Sequence, residues 1–189
     1  GPDVNFASAQ IRVEQSRSEP DMNQRDKQRK LAKADLLKML SGEVRSDIAP
    51  EAKLLLAQVD MQLAQSQLSQ VLPLVKQPPT PQSTAEKDKA RKSLMEAGKK
   101  LASAVEDYQK SVGELSGKSA AALARQASID RVRLDLAENE YNMARTYSAQ
   151  READDRAKLV KKASAAFEKL SGEEDTRSST WIARAWLGL

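Results

Sequence analysis

Two pairs of carboxylates are the residues of this sequence best suited by type to acid–base chemistry or to holding a cation. Asp130 is followed five residues later by Asp135, and Glu138 two residues later by Glu140. Carboxylates share one face of a helix when they are three or four residues apart. Neither pair has that spacing, so the sequence argues against a catalytic or cation-binding pair.

Cysteine and histidine are both absent from the 189 residues. Their absence excludes disulfides, thiolate zinc sites, Ser-His-Asp triads and imidazole metal ligands. Helical di-iron sites need a Glu-x-x-His motif and are excluded as well. Aromatic residues make up only 4% of the chain, which argues against base-stacking surfaces. We therefore expect no enzyme activity, no cofactor, no metal and no nucleic-acid partner.

Basic and acidic residues are interspersed, with 31 of the former and 27 of the latter. Two basic clusters could bind phosphate or anionic lipid. Their acidic neighbours instead favour solvated helix faces with weak ion pairs. The acidic run at 173–175 is interpreted as a solvated turn before a helix. The basic clusters consist of Arg25, Lys27, Arg29, Lys30 and Lys33, and of Lys87, Lys89, Arg91 and Lys92.

Four aromatic residues are the candidates for partner binding. Tyr141 and Tyr147 lie in one predicted helix, and Trp181 and Trp186 lie among the last nine residues. Exposed aromatic side chains are frequent anchors of protein interfaces. The alternative is that the tyrosines belong to the core and that the tryptophans pack on the preceding helix and on a continuation of the chain.

Proline and glycine divide the chain into predicted helices. Gly1-Pro2 is typical of an expression-tag remnant, and the polar residues 3–20 predict a loose lead-in. Residues 21–189 predict a helical repeat domain that continues beyond Leu189, with a proline-rich linker at 76–83. The Pro-x-x-Pro spacing within 78–81 could bind an aromatic groove, but the sequence favours a linker between two helices, which needs no such partner. Helices are expected at 21–40, 50–75, 83–115 and 118–149, from the turn at 151–154 to Leu170, and from Ser179 or Thr180 onward.

The helix caps and the apolar spacing indicate how these helices pack. Asp21 is expected to cap the first helix, and Ser83 with Glu86 is expected to form a capping box. No segment alternates with period two, so the chain is predicted to be all-α. The helices at 50–75 and 118–149 carry two apolar stripes each, which predicts that each is sandwiched between neighbours. The helix at 83–115 carries a single seam, composed of Leu94, Gly98, Leu101, Val105, Tyr108, Val112 and Leu115.

A Leu-Ser-Gly motif ends three of the predicted helices, at Gly42, Gly117 and Gly172. Glycine at such a position can adopt the left-handed conformation that closes a helix. The recurrence predicts a repeat. The spacing between repeats is longest around the middle motif, and the excess predicts a long hairpin whose tip, at 113–118, protrudes from the stack.

These repeats resemble the tetratricopeptide-repeat family in a degenerate, long-helix form similar to bacterial cell-envelope scaffold proteins. Met143-Ala144-x2-Tyr147 matches the first-helix pattern of that family, and Ala163 with Phe167 matches the second. The repeats are longer than the usual 34 residues, and the closing proline is replaced by glycine. The resemblance implies antiparallel helical hairpins stacked as a short α-solenoid. It also implies the bacterial periplasm or cell envelope, although the cytoplasm is an open alternative. Leu56-Ala57-x2-Asp60 matches in part, and Leu187-Gly188 matches the start of a further copy.

We therefore expect a non-enzymatic scaffold or adaptor that binds a protein or peptide. One alternative is a structural, coiled-coil-like subunit of a larger assembly, in which the chain would form a homo-oligomer. A weaker alternative is a surface for anionic polymer or membrane. No apolar run is long enough for a transmembrane helix.

Overall fold

The computed structural model describes residues 2–42, 48–112 and 120–171, and within these ranges the chain forms six α-helices and no β-strand. This confirms the prediction of an all-α chain. The expected hairpin tip at 113–118, the Leu-Ser-Gly motifs at Gly117 and Gly172, and both tryptophans lie outside the described residues. The helices are α1 (Pro2–Ser18), α2 (Met22–Leu40), α3 (Ala49–Val75), α4 (Pro81–Val112), α5 (Ala120–Arg145) and α6 (Ala153–Ser171).

The first helix corrects the expectation of a loose lead-in at 3–20. α1 buries Phe6, Ala9 and Val13 against α2 and α3, at spacings of three and four residues. Arg12 holds it in place through an ion pair of 3.0 Å to Asp35 of α2. The burial of one apolar face on a neighbouring helix stabilises a segment whose own sequence is weakly amphipathic.

Two side chains define the starts of α2 and α4. The Asp21 carboxylate accepts a hydrogen bond of 2.8 Å from the Gln24 amide, which confirms the predicted cap. α4 begins one turn earlier than the predicted Ser83–Glu86 capping box. Thr80 and Ser83 cap it reciprocally, since each side-chain oxygen accepts a hydrogen bond from the other residue's amide, at 3.0 and 2.9 Å. Pro81 fits the first turn because no intrahelical bond is needed there.

The end of α2 shows that Gly42 does not adopt the expected left-handed conformation. Ser41, the C-cap, remains right-handed with φ −84°. Its amide donates to the Leu37 carbonyl, and the Gly42 amide donates to the Met39 carbonyl. The terminal carbonyls are thus satisfied by tight right-handed turns, and a positive φ is unnecessary.

Three apolar clusters follow one another along the helices. The first joins α1, α2 and α3, the second joins α3, α4 and α5, and the third joins α5 and α6. α3 faces the first cluster with Val59 and the second with Met61. α5 faces the second cluster with Val132 and the third with Leu134. Both helices are therefore sandwiched, as their double stripes predict.

The single seam of α4 is buried where the structure describes it. Leu94 and Leu101 are fully buried and Val105 nearly so, while Tyr108 packs against the same cluster. Leu123, near the start of α5, is 60% exposed and does not contribute to the core.

Charged side chains connect consecutive helices. Arg29 of α2 donates to the Ser66 hydroxyl of α3 at 3.1 Å. Asp60 of α3 pairs with Lys33 of α2 at 2.7 Å and with Lys100 of α4 at 3.1 Å. Members of the first basic cluster therefore bind neighbouring helices as well as facing solvent.

Candidate functional site: an apolar groove with a basic rim

A groove of about 1020 Å³ runs between α4 and α6, with α5 as its floor. Its lining is mainly apolar, contributed by Met95 of α4, Leu136 and Met143 of α5, and Leu159 and Ala166 of α6. Met95 is 44% exposed, although it follows the fully buried Leu94. Contiguous apolar surface open to solvent is uncommon on a protein that binds nothing there.

Basic side chains surround this apolar lining. α4 contributes Lys92 and Lys99, and α6 contributes Lys162 and Lys169. The two members of each pair are seven residues apart, which places them about 10.5 Å apart along their helix. Arg91 and Arg133 add two further cations, and Glu140 is the acidic residue of the lining. Cations therefore outnumber anions in the lining of the groove.

Ion pairs neutralise only part of the rim. Three of its cations are paired, Lys162 with Glu140, Arg91 with Glu152 and Arg133 with Asp130. Within the described ranges, Lys92, Lys99 and Lys169 form no ion pair. Three exposed lysines, distributed over both walls, are thus available to an anionic ligand.

Arg91, which lines the groove, forms a network of contacts across it. Its Nε donates to the Thr146 hydroxyl at 2.8 Å, and one terminal nitrogen donates to the Thr146 carbonyl at 2.8 Å and to the Glu152 carboxylate at 3.1 Å. The guanidinium also lies 3.7 Å from the centre of the Tyr147 ring. This network attaches α4 to the end of α5 and to the turn before α6. It also fixes the position of Tyr147 in the groove wall.

Glu152 is held in its charged form by this network. Partial burial by itself raises the pKa of Glu152, but the Ser148 amide, Arg91 and Lys87 together outweigh that effect, so the pKa lies below its ordinary value. The Ser148 amide donates to the carboxylate at 3.0 Å. The charged state preserves the contact with Arg91 at neutral pH.

The floor of the groove contains a close approach between α4 and α5. Asn139 is 2% exposed, and its side-chain nitrogen donates to the Leu94 carbonyl at 3.1 Å. Gly98 is buried beside it, and a Cβ at that position would lie 2.7 Å from the Asn139 nitrogen. Glycine at 98 therefore leaves the space that the asparagine occupies.

A second groove lies between α2 and α4, with α3 as its floor, just as the first lies between α4 and α6 with α5 as its floor. The chemistry of its lining is different. Its volume is about 360 Å³, and its lining includes the oppositely charged Asp26, Lys30 and Glu96. Asp60 bridges Lys33 and Lys100 across it. Mutual neutralisation leaves this groove polar, in contrast to the apolar groove between α4 and α6.

The structure places the two predicted partner-binding tyrosines at different sites. Tyr147 lines the groove, and Met143 of the same motif lines it too. Tyr141 packs with the α5–α6 cluster and borders a different depression, beside Leu72 and Pro73 at the end of α3. Ala163 and Phe167, the other residues of the resemblance, are buried in the core.

The carboxylates of the two predicted acidic pairs lie in different environments. Asp130 is 1% exposed. Burial raises the pKa of Asp135 to about 6, although the ion pair with Arg131 opposes that shift. In the described part of the chain, no three acidic side chains are grouped so that they could hold a metal ion. Among the same residues, no helix is both long and apolar enough to cross a membrane.

Comparison of the chain with protein-family models, with curated proteins and with solved structures finds no match. Its function is therefore inferred from the geometry and chemistry of the described residues.

Proposed function

We propose that this chain is a non-enzymatic protein-interaction module, built from antiparallel helical hairpins stacked in the manner of tetratricopeptide repeats. The direction of the helices supports the hairpins. Ser8 of α1 contacts Asp35 of α2 whereas the later Arg12 contacts the earlier Gln28. In the same way, Arg91 of α4 contacts Thr146, the residue that follows α5, whereas the later Leu94 contacts the earlier Asn139.

The stacking is supported by contacts between alternate helices. α3 packs on α5. α1, α3 and α5 line a common depression that includes Val13, Leu54 and Ala127. α2, α4 and α6 lie on the other side, where they flank the two grooves. Two layers of alternate helices are the arrangement that stacked hairpins produce.

The observation that carries the proposal is the apolar groove between α4 and α6. A groove that exposes methionine and leucine between rows of cations can bury a partner's apolar side chains and orient the partner by charge. Methionine suits such a surface, since its flexible thioether adapts to differently shaped side chains. The neutralised second groove, on the same fold, offers no comparable apolar surface.

A peptide library displayed on yeast tests the proposal. The library is selected on the full chain and then re-sorted on two variants, Met95→Asp in the groove and Leu123→Asp on the exposed part of α5. We expect selected peptides to lose binding to Met95→Asp and to keep binding to Leu123→Asp. The proposal is wrong if no selected peptide distinguishes the two variants.

Self-assembly is a second candidate function, favoured by a separate surface. Val4 and Ile11 of α1 are 68% and 58% exposed and lie seven residues apart, which places them on the same side of the helix. Such a stripe could receive another copy of the chain, as in a structural subunit. Sedimentation equilibrium of the full chain and of a Val4→Ser/Ile11→Ser variant tests this. An oligomer that the variant dissociates supports it, and a wild-type monomer at about 100 μM excludes it.

A further inference from the structure

We infer that the groove between α4 and α6 binds an acidic amphipathic α-helix, whose apolar seam enters the groove and whose carboxylates face the lysines of both walls. This inference rests on the proposed function and names the partner class of the same site.

The shape of the groove favours a helix. Two parallel walls, α4 and α6, stand on a floor formed by α5, and the lining of that floor extends from Arg133 to Tyr147. Thirteen of those residues, 133–145, belong to α5 and span about 18 Å, the length of a helix of a little over three turns. An amphipathic helix placed in such a slot buries its apolar face while its backbone remains hydrogen-bonded internally.

The charges of the rim favour an acidic occupant. Lys92, Lys99 and Lys169 have no ion-pair partner among the described residues, and they lie on both walls. A basic helix would bring its own cations against them, whereas glutamates would replace water around the lysines with ion pairs. Like charges placed opposite one another across an interface are strongly disfavoured.

The spacing of the lysines predicts the sequence of the occupant. The two lysines on each wall are seven residues apart. They are Lys92 and Lys99 of α4 and Lys162 and Lys169 of α6. The apolar Met95 and Ala166 lie between the members of the two pairs. A heptad pattern presents an apolar seam at its a and d positions and flanking residues at e and g. Glutamate at e and g would therefore meet Lys92 and Lys99 at matching intervals on the α4 wall. On the α6 wall it would meet Lys169, since Lys162 is paired with Glu140.

Fluorescence anisotropy with synthetic peptides tests the inference. The first probe has about 21 residues, with leucine at a and d and glutamate at e and g of each heptad, and the second has lysine in place of glutamate. A third probe is a scrambled form of the first. We expect the acidic probe to bind the full chain at least about tenfold more tightly than the lysine probe or the scrambled probe. Equal affinity for the acidic and lysine probes would overturn the inference.

Charge reversal on the rim provides the decisive comparison. The variant Lys92→Glu/Lys99→Glu/Lys169→Glu is expected to weaken the acidic probe by at least about tenfold and to bind the lysine probe more tightly than wild type does. The matched control, Lys53→Glu/Lys110→Glu/Lys161→Glu, makes the same change of net charge at exposed positions outside the groove. It should leave both affinities within about twofold of wild type. A loss in the control equal to that in the rim variant would overturn the inference.

Other occupants give different results. One such result is binding of phosphatidylserine vesicles or of a DNA duplex that depends on the rim lysines but is unchanged in Met95→Asp. That result would overturn the inference, because the occupant would be an anionic lipid surface or polymer and not a protein helix. A synthetic peptide of residues 172–189 that displaces the acidic probe would identify the chain's own segment as the occupant. Library peptides that need Met95 but carry no acidic heptad pattern would overturn this inference and leave the proposed function standing. Absence of any Met95-dependent peptide would remove both.

Discussion

Gly98 of α4 and Asn139 of α5 meet so closely that a methyl group cannot be added between them without movement. A Cβ on Gly98 would lie 2.7 Å from the Asn139 side-chain nitrogen, a separation that carbon and nitrogen atoms do not tolerate without displacement. That nitrogen donates to the Leu94 carbonyl and is almost fully buried. The pair sets the distance between α4 and α5 beneath the groove.

Gly98→Ala is expected to destabilise the chain despite the better helix propensity of alanine. Alanine in a helix gains about 1 kcal/mol over glycine. The displaced Asn139, however, would lose its hydrogen bond and force α4 from α5, at a cost of about 2–3 kcal/mol. We predict a net loss of about 1–2 kcal/mol in the free energy of unfolding, measured by urea denaturation.

A double variant separates the close contact from other effects of the same substitution. In Gly98→Ala/Asn139→Ala the obstructing side chain is absent, so the double variant should be more stable than Gly98→Ala alone. Gly42→Ala is the control, because its Cβ would meet the Met39 carbonyl at an ordinary 3.6 Å. A Gly98→Ala variant as stable as wild type would show that the two helices separate without cost.

Arg91→Lys is expected to destabilise the attachment of α4 to the end of α5. Lysine preserves the charge but cannot reproduce two bonds of 2.8 Å to the hydroxyl and carbonyl of Thr146 together with the contact on Tyr147. We predict a loss of about 2 kcal/mol in the free energy of unfolding, measured at neutral pH.

The control for this substitution is Arg145→Lys. Arg145 is exposed, and its contact of 3.3 Å is to Asn142 on its own helix. Its replacement should change stability by less than about 0.5 kcal/mol. Similar losses for the two variants would mean that the Arg91 network contributes no more than a surface contact.

The sequence predicts the packing of the central helices well, because their apolar residues form separate stripes. The sequence predicts apolar residues on two sides of α3 and of α5 and on one side of α4. The buried clusters that contain Val59, Val132 and Leu94 agree with this prediction. The same reasoning does not predict α1. Its buried Phe6 and its exposed Ile11 lie on different sides of one short helix, so the contrast between a buried and a solvated face is weak.

The groove could not be predicted, because its components come from three helices. In the sequence, Lys92, Met95 and Lys99 are typical of an ordinary solvated face of α4. Nothing in the sequence indicates that α6 lies on the opposite side of a groove. Arg91 likewise reads as part of a solvated basic cluster. Its partners Thr146 and Glu152 are 55 and 61 residues away and become neighbours only in the fold. Met143 and Tyr147 are groove residues that the repeat pattern singled out.

Asp60→Asn is expected to weaken the connection of α3 to both of its neighbours. Asp60 lies between Lys33 and Lys100, and removal of its charge leaves two cations facing each other. We predict a loss of about 1 kcal/mol in the free energy of unfolding at 20 mM salt, and a smaller loss at 500 mM, where the repulsion is screened. The more exposed Asp155, which pairs with Lys158, supplies the control as Asp155→Asn. A loss independent of salt would argue against an electrostatic role.

Asp135 makes the free energy of unfolding decrease as the pH rises, whereas a carboxylate with a lowered pKa makes it increase. Burial raises its pKa to about 6 from an ordinary 3.8, against the opposing effect of Arg131. Since the folded state binds this proton more tightly than the unfolded state, Asp135 favours folding below pH 4. That contribution declines as the pH rises from 4 to 6 and is constant above 6. Its full extent is about 3 kcal/mol.

Asp135→Asn should remove this decline, because a neutral amide has no carboxylate to desolvate. We predict that the variant is more stable than wild type at pH 7 by up to about 3 kcal/mol and nearly equal to it at pH 4. Urea denaturation at half-unit steps of pH measures the difference. Glu152, whose pKa is lowered, loses its contribution as the pH falls, so the comparison must be between variant and wild type rather than along one curve. A difference that stays constant from pH 4 to pH 7 would show that Asp135 ionises normally in the folded chain.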